Sequence, residues 1–100
     1  MYLKIHSDAH GIIVAACDKD LIGKKLEQGA VFLDLEKYKS FYVGELVDEK
    51  TLETVLKANK FNSANLVGKK VITIVVKAGL LSKSDVLTVN KVPYAQIYRF

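Results

Sequence analysis

The stretch LVGKKVITIVVKA, residues 66–78, decides which fold this 100-residue chain adopts. Its β-branched centre, VITIVV, has strong strand propensity. Apolar residues in the same stretch also recur at helical spacing, at Val67, Val71, Ile74, Val75 and Ala78. Asn65 before it suits a helix N-cap, and Gly79 followed by Leu80 suits a helix C-cap. The residues alone therefore predict either a helix or a buried strand.

The beginning of the chain predicts a β-hairpin. Residues 2–6 alternate in polarity and residues 12–16 are apolar. The segment SDAHG between them, residues 7–11, has turn chemistry and a glycine that tolerates positive φ. With that loop, Ile5 lies opposite Ile13. One buried face of the hairpin then carries Leu3, Ile5, Ile13, Ala15 and Cys17.

The rest of the chain predicts a long helix and several short strands. Asp48 suits an N-cap, apolar residues follow it at helical spacing, and Asn62 or Ser63 ends the helix. Residues 18–29 are polar and irregular, apart from a helical turn at residues 19–22. Further strands are predicted at residues 31–35, 41–43, 86–89 and 93–98, with a tight turn at residues 90–91.

Five short motifs along the chain form a specific combination. They are CD at residues 17–18, LIGK at 21–24, FYVGE at 41–45, SANLVG at 63–68 and VPYAQ at 92–96. Together they resemble a small archaeal family catalogued as a domain of unknown function (domain of unknown function 424), over the whole chain. Members of that family carry better helix formers at residues 70–76, so the resemblance favours a helix over residues 66–78. It implies no activity, because none is established for the family.

We therefore expect a single α+β domain over residues 1–100. A mostly antiparallel sheet starts with the N-terminal hairpin, and two main helices pack on one face of it. The lone cysteine, Cys17, has no partner for an internal disulfide, and no apolar run approaches the roughly 20 residues that span a bilayer. These features predict a cytoplasmic protein that does not enter membranes.

The residue types do not assemble into a catalytic or metal site. His6, Asp8, His10 and Cys17 are suitable metal ligands, but Cys17 lies at the far end of the predicted hairpin, about 16 Å from His6. The chain has no Gly-x-Ser-x-Gly motif and no complete phosphate loop. We therefore expect no cofactor and no metal, and lean against an enzyme.

The charge pattern and the last strand favour a non-catalytic binding module for RNA or an RNA-containing, translation-type assembly. The net charge is +4, with 14 lysines and one arginine. Lysines at the start of the predicted helix suit phosphate, and residues 93–98 place aromatic and amide side chains on one strand face. The predicted nucleic-acid-binding residues are Lys69, Lys70, Tyr94, Gln96, Tyr98 and Arg99.

The residues are also compatible with two alternatives. The first is a small-molecule-binding protein or enzyme with a pocket near Tyr42, Glu45, Asn65 and Tyr94, where the family-like motifs occur. The second is a homodimer paired through an edge strand.

Overall fold

The structure, a computed structural model, describes residues 1–58 and 60–99. Its strands and helices follow the chain in the order β1 (Tyr2–Asp8), β2 (Gly11–Cys17), β3 (Lys25–Gln28), β4 (Val31–Asp34), α1 (Lys39–Tyr42), β5 (Glu45–Leu46), α2 (Glu49–Lys57), β6 (Ser63–Val67), α3 (Lys69–Lys77), β7 (Leu87–Val89) and β8 (Val92–Tyr98). Short 3-10 turns occupy Lys19–Leu21 and Lys83–Asp85.

Within the described residues, a six-stranded sheet has the strand order β5-β1-β2-β6-β8-β7. Strands β2 and β6 pair in parallel, and the other neighbours pair antiparallel. Strands β3 and β4 form a separate antiparallel ribbon. The predicted α+β class, with a mostly antiparallel sheet that starts with a hairpin, is confirmed.

Helices α2 and α3 cover one face of the sheet, as predicted. Buried side chains of both helices pack there against sheet residues that include Val14, Ala16 and Leu66. The predicted N-cap of α2 is confirmed, since the Asp48 carboxylate accepts from the Thr51 N–H at 2.8 Å. The helix ends at Lys57, earlier than predicted, because the chain must turn back to enter β6.

The stretch at residues 66–78 combines a strand and a helix. Leu66 and Val67 end β6, which is buried between β2 and β8, and α3 begins only at Lys69. Gly68 joins the two with φ at 113°, a conformation that favours glycine. The predicted helix is confirmed with a later start. The predicted N-cap, Asn65, is wrong, because that residue lies inside β6.

The hairpin register differs from the prediction by one residue. Ile5 pairs with Val14, and the turn consists of Ala9 and His10 alone, because Asp8 and Gly11 already pair. The shift moves Cys17 to the face opposite the helices. The end of β2 is covered on both faces, since its last four residues are at most 2% exposed. Without polar alternation, the turn rather than the strand sets the register.

The second face of the sheet is covered at one end by α1 and by the β3–β4 ribbon. Leu26 of the ribbon and Tyr42 of α1 are buried there against Cys17. The strand predicted at residues 41–43 is wrong, because residues 39–42 form α1. The strands predicted at residues 31–35, 86–89 and 93–98 are confirmed with small changes of bounds, and β3 lies in the segment predicted as irregular.

Candidate functional site

One half of the second sheet face is left uncovered. Directly paired residues of neighbouring strands point to the same side of a sheet. Pairing therefore aligns Asn65 with Gln96, and Ser63 with Tyr98, on the face that also carries Cys17 and Val67. Tyr98 is 60% exposed, whereas Val67 and Cys17 are buried beneath the ribbon. We call the exposed surface of Ile13, Ser63, Asn65, Gln96 and Tyr98 the open half-face.

A cleft of about 400 Å³ lies where the open half-face meets α1 and β4. Its walls are mostly aromatic and aliphatic, and its floor contains two amides. The lining residues are Leu33, Asp34, Leu35, Tyr38, Phe41, Tyr42, Asn65 and Gln96. An apolar wall with a few convergent polar groups is typical of ligand-binding sites.

The floor of the cleft is a hydrogen-bonded pair of amides. Gln96 Nε2 donates to Asn65 Oδ1 at 2.8 Å across the β6–β8 pairing. The bond uses the NH₂ group of Gln96 and the carbonyl oxygen of Asn65. The NH₂ group of Asn65, a donor, and the carbonyl oxygen of Gln96, an acceptor, remain for a ligand. If both amides are flipped, one donor group and one acceptor still remain.

Two side chains of β1, His6 and Lys4, hold helix α1 against that strand. The His6 and Phe41 rings stack with centroids 4.4 Å apart, and His6 Nε2 donates to the Phe41 carbonyl at 2.8 Å. Lys4 Nζ donates to the Ser40 carbonyl at 2.6 Å. Phe41 also meets the Tyr42 ring edge-on, at 5.1 Å. These contacts place aromatic rings of α1 beside the amide floor.

The buried side chains of Tyr42, in the wall of the cleft, and of Cys17, in the cluster behind it, stay protonated at neutral pH. Burial, with a smaller contribution from Cys17, raises the pKa of Tyr42 to about 12. Burial also raises the pKa of Cys17 to about 12, and Asp18 and Asp20 add to the shift. Tyr42 is therefore a neutral phenol, and Cys17 is a thiol rather than the thiolate that nucleophilic catalysis requires.

Charged side chains of both signs lie around α1 and at the end of β4, two elements that border the cleft. Lys4, Lys37 and Lys39, which we call the lysine rim, lie on or beside α1, and Lys37 Nζ is 5.5 Å from the centroid of the Tyr38 ring. Tyr38 is 54% exposed. Asp34 lines the cleft, and its Oδ1 accepts from the N–H groups of residues 36 and 37, at 3.1 and 2.8 Å.

The predicted strand residues share a face, as expected, but differ in exposure. Tyr94, Gln96 and Tyr98 all point away from the helices. Tyr94 packs against the cluster beneath the ribbon, Gln96 lies in the cleft, and Tyr98 is exposed on the open half-face. Only Gln96 and Tyr98 are therefore well placed to meet a ligand.

The predicted lysines and the arginine lie elsewhere. Lys69 and Lys70 line a separate recess with Asp18 at the start of α3. The anion position at that helix start is filled, because the Asp18 carboxylate accepts from the Lys70 and Val71 N–H groups, each at 3.0 Å. Arg99 lies over the Phe61 ring at 4.5 Å, on the helix-covered side. The six predicted residues do not form one surface.

The alternative pocket matches the cleft in part. Tyr42 and Asn65 line it, whereas Glu45 is exposed on β5 and pairs with Leu3 at the sheet edge. Sequence reasoning did not single out Tyr38 as a site residue. Its spacing to Phe41 and Tyr42, i, i+3 and i+4, is typical of one helix face and was a usable signal.

The side chains considered as metal ligands are dispersed. His6 is engaged with Phe41, and His10 lies at the hairpin turn, where its N–H donates to Asp8 Oδ1 at 2.7 Å. Among residues 1–58 and 60–99, no cluster of three His, Cys, Asp or Glu residues is suited to a metal ion. No helix in this part of the chain has the length and apolar character needed to cross a membrane.

Comparison with known proteins finds relatives without a named activity. The model of a family described as "protein of unknown function (DUF424)" matches residues 5–100. A crystal structure of an uncharacterized conserved protein from Methanopyrus kandleri is similar, with a TM-score of 0.75 and 27% sequence identity. The match covers 97% of this chain and 89% of that one. No curated protein matches the sequence.

Proposed function

The chain belongs to the DUF424 family of proteins of unknown function, and because that membership brings no activity with it, we propose a function from the cleft. The protein is a non-catalytic binding module for single-stranded RNA, alone or within an RNA-containing assembly of the translation type. One unstacked base enters the cleft, and the strand continues over the open half-face. The cytoplasm, where such assemblies work, is the proposed location.

The amide pair on the floor of the cleft is the observation that supports this proposal most. Proteins recognise single-stranded RNA by stacking unpaired bases on aromatic rings and hydrogen-bonding their edges. Asn65 and Gln96 offer a donor and an acceptor side by side, and Tyr38 and Phe41 offer rings next to them. A volume of about 400 Å³ is at the lower end for small-ligand sites, which suits a single ring system.

Tyr98 and the lysine rim extend the proposed surface. Tyr98 lies two residues along β8 from Gln96, about 7 Å away, which is within reach of the next base of a strand. Lys4, Lys37 and Lys39 supply positive charge for phosphates on the α1 side. Lys69, Lys70 and Arg99 are outlying contacts that only a longer strand would reach.

Fluorescence anisotropy with a labelled 12-nucleotide RNA tests the proposal, at low and at high salt. We expect binding that weakens with salt. The logarithm of the association constant should fall linearly with the logarithm of the salt concentration, with a slope of about −0.7 per phosphate neutralised. Lys37→Ala combined with Lys39→Ala should reduce the magnitude of that slope by about 1.4, because two phosphate contacts are lost.

Lys50→Ala with Lys83→Ala is the matched control, because it removes the same charge from exposed positions on α2 and on the turn after α3. Equal weakening by both pairs would mean that total charge, not this surface, binds RNA. The absence of binding at low salt would refute the proposal.

A free small molecule is the second candidate, because Tyr42 and Asn65, which belong to the alternative pocket, both line the cleft. Titration with mononucleosides distinguishes the two. Binding of a nucleoside as tight as that of the RNA would favour a small-molecule site. Pairing of two chains through the short edge strands β5 and β7 is a separate hypothesis that the mass in solution tests.

A further inference from the structure

The polar groups of the cleft differ in kind from those of a phosphate site. Asp34 places a carboxylate there, and none of the cleft-lining residues is a lysine or an arginine. Tyr42 adds a neutral phenol, and the amide floor adds one donor and one acceptor. A carboxylate only accepts hydrogen bonds and repels phosphate. The cleft therefore suits a ring that presents N–H donors, with its phosphates outside.

Asp34 is positioned by its neighbours and retains capacity for a ligand. Its Oδ1 accepts from the N–H groups of Glu36 and Lys37, which hold the carboxylate at the end of β4. An ionised carboxylate has about four acceptor positions, so about half of them remain. In the part of the chain that the structure describes, Asp34 has no ion pair, since Lys25 pairs with Glu36 instead, at 3.5 Å.

We infer that the cleft prefers guanine over the other RNA bases, an inference that rests on the proposed RNA-binding function. Guanine alone presents two adjacent donors, N1–H and the N2 amine, and both can point at Asp34 Oδ2, whose two acceptor positions stay free while Oδ1 accepts from Glu36 and Lys37. Its O6 acceptor then faces the amide donor of the floor or the Tyr42 hydroxyl. Adenine and cytosine each place a ring-nitrogen lone pair beside their single amine, and uracil flanks its N–H with two carbonyls, so each presents an acceptor to Asp34.

The test is anisotropy with U4-X-U4 RNA in which X is guanine, inosine, adenine or an abasic site. Inosine keeps N1–H and O6 but lacks the N2 amine. We expect guanine to bind roughly 5- to 150-fold more tightly than adenine, the range for a good bidentate base contact. Inosine should lie between the two.

Asp34→Asn is the decisive variant. The asparagine Oδ1 still accepts from the N–H groups of Glu36 and Lys37, while its NH₂ group replaces Oδ2 and turns that acceptor into a donor. We expect it to remove the guanine preference and to leave binding of the abasic RNA unchanged or stronger. Glu36→Gln removes the same charge two residues away, where the side chain pairs with Lys25, and should keep the preference.

The possible failures are distinguishable. Equal affinity for all four RNAs, or a guanine preference that survives in Asp34→Asn, would overturn the guanine assignment and leave RNA binding intact. Failure of every RNA to bind, the abasic one included, would refute the proposed function itself and this inference with it.

Discussion

The Asp18 carboxylate should be one of the most important polar groups for stability in this chain. It is 5% exposed and accepts from the first N–H groups of α3, at Lys70 and Val71, from 52 and 53 residues away in sequence. It thus caps the helix across the fold, because Gly68 at the N-cap position has no side chain. The contact joins the end of β2 to the start of α3.

The cost of Asp18→Ala follows from the two donors that it leaves without a partner. A buried donor without a partner costs about 1–3 kcal/mol. The unpaired N–H of Val71, which is fully buried, should cost about 2 kcal/mol, whereas that of Lys70, which lies near solvent, should cost about 1 kcal/mol. We expect the free energy of unfolding to fall by about 3 kcal/mol, which lowers Tm by roughly 12–24 °C for a domain of this size.

Urea unfolding followed by circular dichroism measures this change, with the slope m checked for constancy. Asp20→Ala is the matched control, because Asp20 carries the same charge but is exposed. We expect Asp20→Ala to lower the free energy of unfolding by less than about 0.5 kcal/mol. If Asp18→Ala and Asp20→Ala destabilise equally, the cross-fold cap does not stabilise the helix and the reasoning is wrong.

Two further predictions concern the same region of the fold. Gly68→Ala should lower the free energy of unfolding by about 2 kcal/mol or more, because the new Cβ would overlap the Asp18 carboxylate and a φ of 113° is strained for alanine. Gly23→Ala is the control in the same urea assay. Gly23 has a φ of 90° and open space around it, so that variant measures the cost of the backbone conformation alone. The free energy of unfolding should also fall as pH rises from about 9 to about 12. The pKa values of Cys17 and Tyr42 are raised to about 12, so the unfolded chain loses these protons first. Urea titrations across this range should show Cys17→Ser losing less stability than the parent between pH 9 and 10, and an equal loss in both would contradict the assigned cause.

The elements that the sequence predicted well are those with a local signal. Helix α2 has an N-cap acid, Asp48, followed by apolar residues at helical spacing. The β7–β8 turn has Asn90 and Lys91 with φ of 49° and 66°, which suits a tight hairpin. In the stretch at residues 66–78, composition alone left helix and strand open, and the resemblance to a family correctly favoured the helix.

The candidate site was only half visible in the sequence. Alternation along β8 correctly placed Tyr94, Gln96 and Tyr98 on one face, since that depends only on the period of a strand. Which of these side chains stays accessible depends on the β3–β4 ribbon, which covers Tyr94 and leaves Tyr98 exposed. The lysines at the start of α3 predicted a phosphate site there, but the Asp18 carboxylate occupies that position. Nothing in the neighbouring sequence indicates this, because Asp18 lies 52 residues before Lys70.

By itself, the sequence determined the α+β class, helix α2 with its cap and apolar face, and the position of most strands, because these follow from periodicity and capping within a few residues. The tertiary structure alone decided the hairpin register, the helical state of α1, the cap from Asp18 and the cleft between Asp34 and the Asn65–Gln96 pair. The hairpin register follows from its two-residue turn, α1 is held by contacts with β1, and the cap and the cleft join residues far apart in the chain. Such contacts leave no local pattern, so only the folded chain shows them.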